Sequence, residues 1–243
     1  MATFVLVHGS GYGGWCWQLL SPLLRAAGHD VYTPTLTGLG ERAHLATPDV
    51  GLETHVLDVV NVLKYEDLSG VVLVGHSLGG MVITGVANDA AHRLAHLVYL
   101  DAIVPQHGQS RLSLHTPEDA AAKEERVRTA GDGWRKPGRR AALAPRWDAL
   151  FGSAEWERTR KVPHPFKALQ EPVRLQNPAA LALPRTFIYC TRKSAGDDPF
   201  LGRAASIRRT GTESAWRFRE LDSGHMAMFE VPQQLAALLL EVV

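Results

Sequence analysis

The run Val71-Val72-Leu73-Val74, followed at once by Gly75-His76-Ser77-Leu78-Gly79-Gly80, constrains the fold more than any other stretch of the chain. Four consecutive aliphatic residues without polar alternation make a strand that water reaches on neither face. Residues 78–90 then carry apolar groups at helical spacing, so the chain must reverse from strand to helix within a few residues. Such a corner strains the residue at its apex and accepts only small neighbours, which Gly75, Gly79 and Gly80 supply. Ser77 at the apex stands above the sheet at a helix N-terminus, where backbone N–H groups and the helix dipole favour negative charge.

The same alternation runs through the first hundred residues. Thr3–Val7 and residues 31–33, 71–74 and 97–100 read as strands, with helical spacing in residues 15–27 and Leu52–Tyr65 between them. Buried strands separated by helices define a doubly wound α/β fold on a mostly parallel sheet of about six strands. After Pro105 the pattern breaks. Up to about Ala182 the chain turns to charge, Pro, Gly and Trp with no strand-like run, and Trp134, Trp147, Phe151, Trp156 and Phe166 are its bulky apolar groups. Those side chains fix short helices onto the main body, line a pocket from above, or do both. Alternation resumes with strands at Arg185–Cys190 and Trp216–Leu221 and helices at residues 200–209 and 229–242. We therefore expect one domain over residues 1–243, with a helical cap inserted at about 106–182.

Composition narrows the function classes. With 26 basic and 25 acidic residues among 243, the net charge of +1 argues against a nucleic-acid or membrane-surface partner. Residues 111–174 hold 14 Lys or Arg against 9 Asp or Glu, a charge that a solvated, Arg-rich insertion explains. Two cysteines, Cys16 and Cys190, are too few for a disulfide framework. The apolar run at residues 4–7 is too short for a signal segment. A reducing, cytoplasmic setting is the expectation, with no membrane span.

A serine hydroxyl is a poor nucleophile at neutral pH and needs a base. Of the eleven histidines, His225 follows the last strand in Asp222-Ser223-Gly224-His225, where a loop reaches back over the strand ends. The order serine, acid, histidine with histidine last is that of strand–elbow–helix hydrolytic sites. His76 adjoins Ser77, but neighbouring side chains at the corner diverge, so it lines or supports the site. A tetrahedral oxyanion needs two donors. The Leu78 N–H is one, and the loop His8-Gly9-Ser10-Gly11-Tyr12-Gly13-Gly14 offers the Ser10 N–H as the other. That loop lacks the Lys-Ser/Thr ending of a phosphate-binding loop.

Val5-Leu6-Val7-His8-Gly9 with Gly14-Trp15-Cys16-Trp17 resembles the opening of the plant methylesterase and hydroxynitrile lyase branch of the α/β-hydrolases. Leu36-Thr37-Gly38-Leu39-Gly40-Glu41-Arg42, the serine corner and Gly224-His225-Met226-Ala227-Met228 extend the likeness, which also embraces bacterial carboxylesterases of this branch, pyrethroid-hydrolysing ones included. The resemblance implies a compact six-stranded sheet, a helical cap and no cofactor or metal. Lyases of this branch carry a threonine after the first-loop histidine and a lysine after the catalytic histidine. Here those positions are Gly9 and Met226, the esterase side of the division.

The acid departs from the plant pattern, in which it stands two residues after a threonine following the seventh strand. Here that stretch is Cys190-Thr191-Arg192-Lys193, and lysine cannot replace aspartate. Asp197 or Asp198 further along the loop could serve, although Asp198 before Pro199 is better placed as a helix N-cap. We favour Asp101, which ends the 97–100 strand, because a strand end is a firmer platform than a loop. The sequence thus predicts a serine esterase with Ser77, His225 and Asp101 as catalytic residues, forming an acyl-enzyme from a small hydrophobic or aromatic ester. A thioesterase, lactonase or acyl transferase would use the same acyl-enzyme, and a small-molecule receptor could retain the same pocket. The oligomeric state is left between monomer and homodimer.

Overall fold

The computed structural model describes residues 1–137, 159–192 and 216–243. Six strands form the main sheet: β1 (Thr3–Val7), β2 (Asp30–Tyr32), β3 (Val71–His76), β4 (Leu94–Leu100), β7 (Arg185–Cys190) and β8 (Trp216–Leu221). Their order is β2-β1-β3-β4-β7-β8, and every neighbouring pair is parallel. Two further strands of two residues each, β5 (Arg135–Lys136) and β6 (His164–Pro165), make a separate antiparallel ribbon. The helices are α1 (Ser21–Ala26), α2 (Leu52–Tyr65), α3 (Gly79–Ala90), α4 (Pro117–Ala130), α5 (Lys167–Gln170), α6 (Pro178–Ala182), α7 (Ala227–Glu230) and α8 (Pro232–Leu240).

Because side chains alternate along a strand, each apolar run divides its residues between two cores. Val5, Val7, Val71, Leu73, Leu97, Tyr99 and Phe187 face a core shared with α2 and α3. Phe4, Leu6, Val72, Val74, Val98, Leu100 and Ile188 face the other, against Trp17, Leu24 of α1 and Leu235 and Leu239 of α8. Complete burial of each such side chain is worth roughly 2 kcal/mol. The runs therefore lack polar alternation because neither face of the sheet meets water.

Differences from the sequence reading concern punctuation. The segment 15–27 divides into a 3₁₀ turn at Gly14–Trp17 and α1, and the closing helix divides at Val231. Pro22 and Pro232 lie in the first turns of α1 and α8, where a missing N–H costs nothing. The stretch after Pro105 also contains strand pairing, the β5–β6 ribbon, where none was expected. Two residues per strand are too few to set up a visible period. The inserted chain between β4 and β7 adds no strand to the main sheet among the described residues. Its longest helix there, α4, starts where Thr116 Oγ1 accepts the Asp119 N–H at 3.2 Å and buries only Val127. The expected helix at 200–209, with Trp147, Phe151 and Trp156, lies outside the described residues. Among the described residues, no helix is long and apolar enough to cross a membrane.

Topology fixes where a site can form. The chain leaves β1 toward α1 on one face, and leaves the adjacent β3 toward α3 on the opposite face. Between two such strands the loops part, leaving a crevice beyond their carboxyl ends. The loops at that point are His8–Gly14 and the Ser77 corner.

Candidate active site

Ser77 has φ +55 and Asp101 φ +44, left-handed values that L residues adopt at a cost of about 1–3 kcal/mol each. Both stand directly after neighbouring strands, Ser77 after β3 and Asp101 after β4, whose last residues His76 and Leu100 are in register. The surroundings hold the strain in place. The Ser77 N–H donates to the Leu100 carbonyl at 3.3 Å, and the Ser77 carbonyl accepts from Ile103 at 3.0 Å and Gly80 at 3.2 Å. The Asp101 N–H donates to the Ile188 carbonyl of β7 at 2.8 Å. The small neighbours of the corner are obligatory. A Cβ on Gly75 would stand 2.7 Å from the Gly79 carbonyl oxygen, and one on Gly79 would stand 2.8 Å from that of Val7.

The Asp101 side chain is fully enclosed, whereas that of His225 is 38% exposed. Asp101 Oδ2 lies 2.5 Å from His225 Nδ1, and Oδ1 accepts the Cys190 N–H at 3.4 Å. An ionised carboxylate only accepts, so in this pair the imidazole proton sits on Nδ1 and Nε2 is left as the basic nitrogen. The loop carrying His225 is held from two sides. His76 Nε2 donates to the His225 carbonyl at 2.9 Å, with the two rings 4.5 Å apart. Glu230 at the end of α7 accepts the Gly224 N–H at 2.9 Å while lying 3.5 Å from the Arg192 guanidinium. His76 thus acts as the support that its sequence position suggested. Glu230 escaped the sequence reading, since a carboxylate five residues beyond a histidine is an ordinary helix-surface feature until its partner is known.

The loop after β1 passes directly against the corner. A Cβ on Gly9 would be 2.9 Å from Ser77 Cβ and 3.1 Å from His76 Nδ1. Neither the Ser10 nor the Leu78 N–H donates to another protein group among the described residues. Behind this loop His8 is buried, its Nδ1 donating to the Gly9 carbonyl at 2.9 Å and its Nε2 accepting the Leu36 N–H at 3.1 Å. Burial, only partly offset by the Gly9 carbonyl and reinforced by His55, lowers the His8 pKa to about 4. Burial likewise lowers His55, and pushes His164 well below the usual histidine value. The Cys16 thiol is pushed up by the same cause and is a poor nucleophile.

The structure therefore brings Asp101 to His225 and sets the Gly9–Ser10 loop beside Ser77. The rival acids Asp197 and Asp198 lie outside the described residues. Among the described residues, no cluster of three His, Cys, Asp or Glu side chains could hold a metal ion.

A strand-turn-helix serine corner on a parallel sheet, with a histidine returning after the last strand, is the arrangement of one large superfamily, and this chain belongs to it: the model of the alpha/beta hydrolase family matches residues 4–238. Within the family it is a carboxylic ester hydrolase. It is 37% identical over 244 residues, 97% of either chain, to the carbendazim hydrolyzing esterase of Nocardioides sp. (strain SG-4G). It is 31% identical over 256 residues to the pFDCC methylesterase MES16 of Arabidopsis thaliana, covering 99% of this chain and 94% of the relative. A solved extracellular alpha/beta-hydrolase from a Paenibacillus species, described as sharing structural and functional homology with tobacco salicylic acid binding protein 2, superposes with a TM-score of 0.76. It is 26% identical, covering 100% of this chain and 99% of the other.

Proposed function

We propose that Ser77, His225 and Asp101 are the catalytic residues of this esterase, and that the Ser10 and Leu78 amides form its oxyanion hole. The observation that carries this reading is the 2.5 Å contact from the enclosed Asp101 to the accessible His225, beside a serine held at φ +55. Ser77 Oγ bonds to the ester carbonyl carbon while His225 Nε2 takes its proton, and the carbonyl oxygen becomes an anion facing two amides. Collapse breaks the bond to the alkoxy oxygen, which leaves as alcohol with the proton from His225. Water then gives its proton to His225 and attacks the acyl carbon, and Ser77 is released with the carboxylic acid. Asp101 holds Nδ1–H throughout, so Nε2 always faces the chemistry.

The substrate class we assign is a small hydrophobic or aromatic ester, and the inserted chain at about 106–182 is read as the cap over it. Tyr12 and Trp15, rings 5.3 Å apart at the site loop, support an apolar lining. A net charge of +1 supports a diffusible small molecule over a nucleic acid or a membrane, and two cysteines in 243 residues support a cytoplasmic setting.

The decisive experiment pairs p-nitrophenyl butyrate turnover, in chelator, with fluorophosphonate labelling. The expected label is on Ser77, and Ser77→Ala should lose nearly all turnover, leaving roughly 10³–10⁴ over water from binding and oxyanion contacts. Label on another residue, or activity lost to the chelator, would overturn the assignment. A panel of aryl, methyl and thio esters then ranks the substrate class.

A further inference from the structure

The β5–β6 ribbon places Lys136 directly opposite His164, and both side chains reach the loop after β1. The Gly11 N–H donates to His164 Nδ1 at 3.3 Å, and the Gly11 carbonyl accepts the Val162 N–H at 3.1 Å. Lys136 Nζ lies 3.2 Å from Ser10 Oγ. The inserted chain therefore grips both backbone polar groups of one loop residue, Gly11, and the hydroxyl of the residue before it.

That grip matters because of what it holds. Gly9, Gly11, Gly13 and Gly14 leave the loop with little backbone stiffness of its own, and Gly11 sits at φ +78. An oxyanion donor acts by being aimed before the reaction begins, so a loop this pliable must take its rigidity from outside. We propose that His164 is a positioning residue of the oxyanion hole, fixing the Ser10–Gly11 peptide through Nδ1 and thereby aiming the Ser10 N–H. The inference rests on the Ser77 reading above and adds to it a residue about 150 positions away.

The tautomer shows that His164 does more than fill space. With Nδ1 accepting from Gly11, the ring proton must sit on Nε2. Nε2 is buried and has no hydrogen-bond partner among the described residues, in a residue only 2% exposed. A buried donor left unmatched is costly, about 1–3 kcal/mol, and an apolar residue would avoid it. Histidine stands there in the form that offers Nδ1 to the loop, packed edge-on against His55 with ring centroids 5.3 Å apart.

The test compares His164→Asn, whose amide oxygen falls near the place of Nδ1, with His164→Gln, whose oxygen falls near Nε2, and with His164→Leu. For each, kcat and KM for p-nitrophenyl butyrate and the inhibition constant of a trifluoromethyl ketone, whose adduct oxyanion occupies the hole, are measured. Losing a whole oxyanion donor costs about 10²–10³ in kcat, so a misaimed one should cost roughly 10–100-fold. His164→Gln and His164→Leu should show that loss in kcat and a parallel loss of ketone affinity, with KM within about threefold, and His164→Asn should recover most of both. If His164→Leu fails to fold, the Asn and Gln pair decides alone, because Gln carries the same amide one methylene further out, away from the place of Nδ1. Equal behaviour of Asn and Gln, or a change confined to KM, overturns the proposal. Wild-type protein without ester turnover or Ser77 labelling would overturn the underlying reading as well, and is thereby distinguished from failure of the His164 role alone.

Discussion

The two halves of the site are held by different means. Ser77 and Asp101 end adjacent strands, and their backbone bonds run to Leu100 and Ile188, inside the sheet. Ser10 sits on a glycine-rich loop whose ends are bonded to Leu36 and Thr35 and whose middle is bonded to His164, Val162 and Lys136 of the inserted chain. The first half depends on the most buried part of the molecule, the second on a ribbon with two residues in each strand. Under the proposed roles, acid–base geometry belongs to the sheet, and oxyanion geometry to the junction between sheet and insertion.

The largest effect should come from the sheet-held half. Asp101→Asn leaves the shape intact but favours the wrong imidazole tautomer, and kcat should fall roughly 10⁴-fold. Asp197→Asn should stay within about threefold of wild type. The reverse pattern in steady-state kinetics would move the acid to the loop after β7.

Acid should weaken both halves, since burial lowers the pKa of His96 of β4 to about 4 just as it lowers that of His8 behind the loop. His8 takes up its proton only near pH 4 when folded but near 6.5 when unfolded, so between those values unfolding binds a proton. Its contribution is present in full above about pH 6.5 and is lost as pH falls toward 4, up to about 3 kcal/mol. His55 and His164, lowered in the same direction, add to that slope. Urea midpoints should be level above about pH 7 and decline below 6.5. A midpoint unchanged down to pH 5 would mean that these rings are already charged in the folded protein.

Gly9→Thr attacks the contact between the halves. Its Cβ would come 2.9 Å from that of Ser77, and a displacement of about 1 Å in the nucleophile costs about 10² in rate. The variant should lose esterase activity to that extent and gain no cyanide release from mandelonitrile. Normal ester turnover would show that the loop yields freely. Thr116→Ala, at the start of α4, should lower stability by about 1 kcal/mol through the lost cap and leave kcat unchanged.

Legibility in the sequence follows the same division. β1, β7, β8 and α2 stand at the residues expected because their apolar runs are local and continuous. The Ser77 corner and Asp101 were visible as strand ends, where position alone says much about geometry. The breaks before Pro22 and Pro232 were written in the sequence and outweighed by apolar spacing on either side. The contacts of His164 with Gly11 and of Lys136 with Ser10 span 153 and 126 residues, and no short-range pattern marks such pairs. Glu230 was hidden for a related reason: its meaning lies in the Gly224 amide, which becomes its partner only when α7 turns back.

The short β5–β6 ribbon also sets the order in which the molecule comes apart. Local openings cost least where few buried contacts and few backbone bonds resist them, and most in the central strands. The Gly11 and Val162 amides should exchange their hydrogens with solvent in openings that leave β3 and β4 closed, while those of Ser77 and Asp101 wait for global unfolding. As denaturant is raised, ester turnover should therefore fade before circular dichroism changes, while the His225–Asp101 pair is still assembled. Under the proposed roles, the protein would pass through a silent form, folded and with its serine corner intact, that has lost only the aim of one amide.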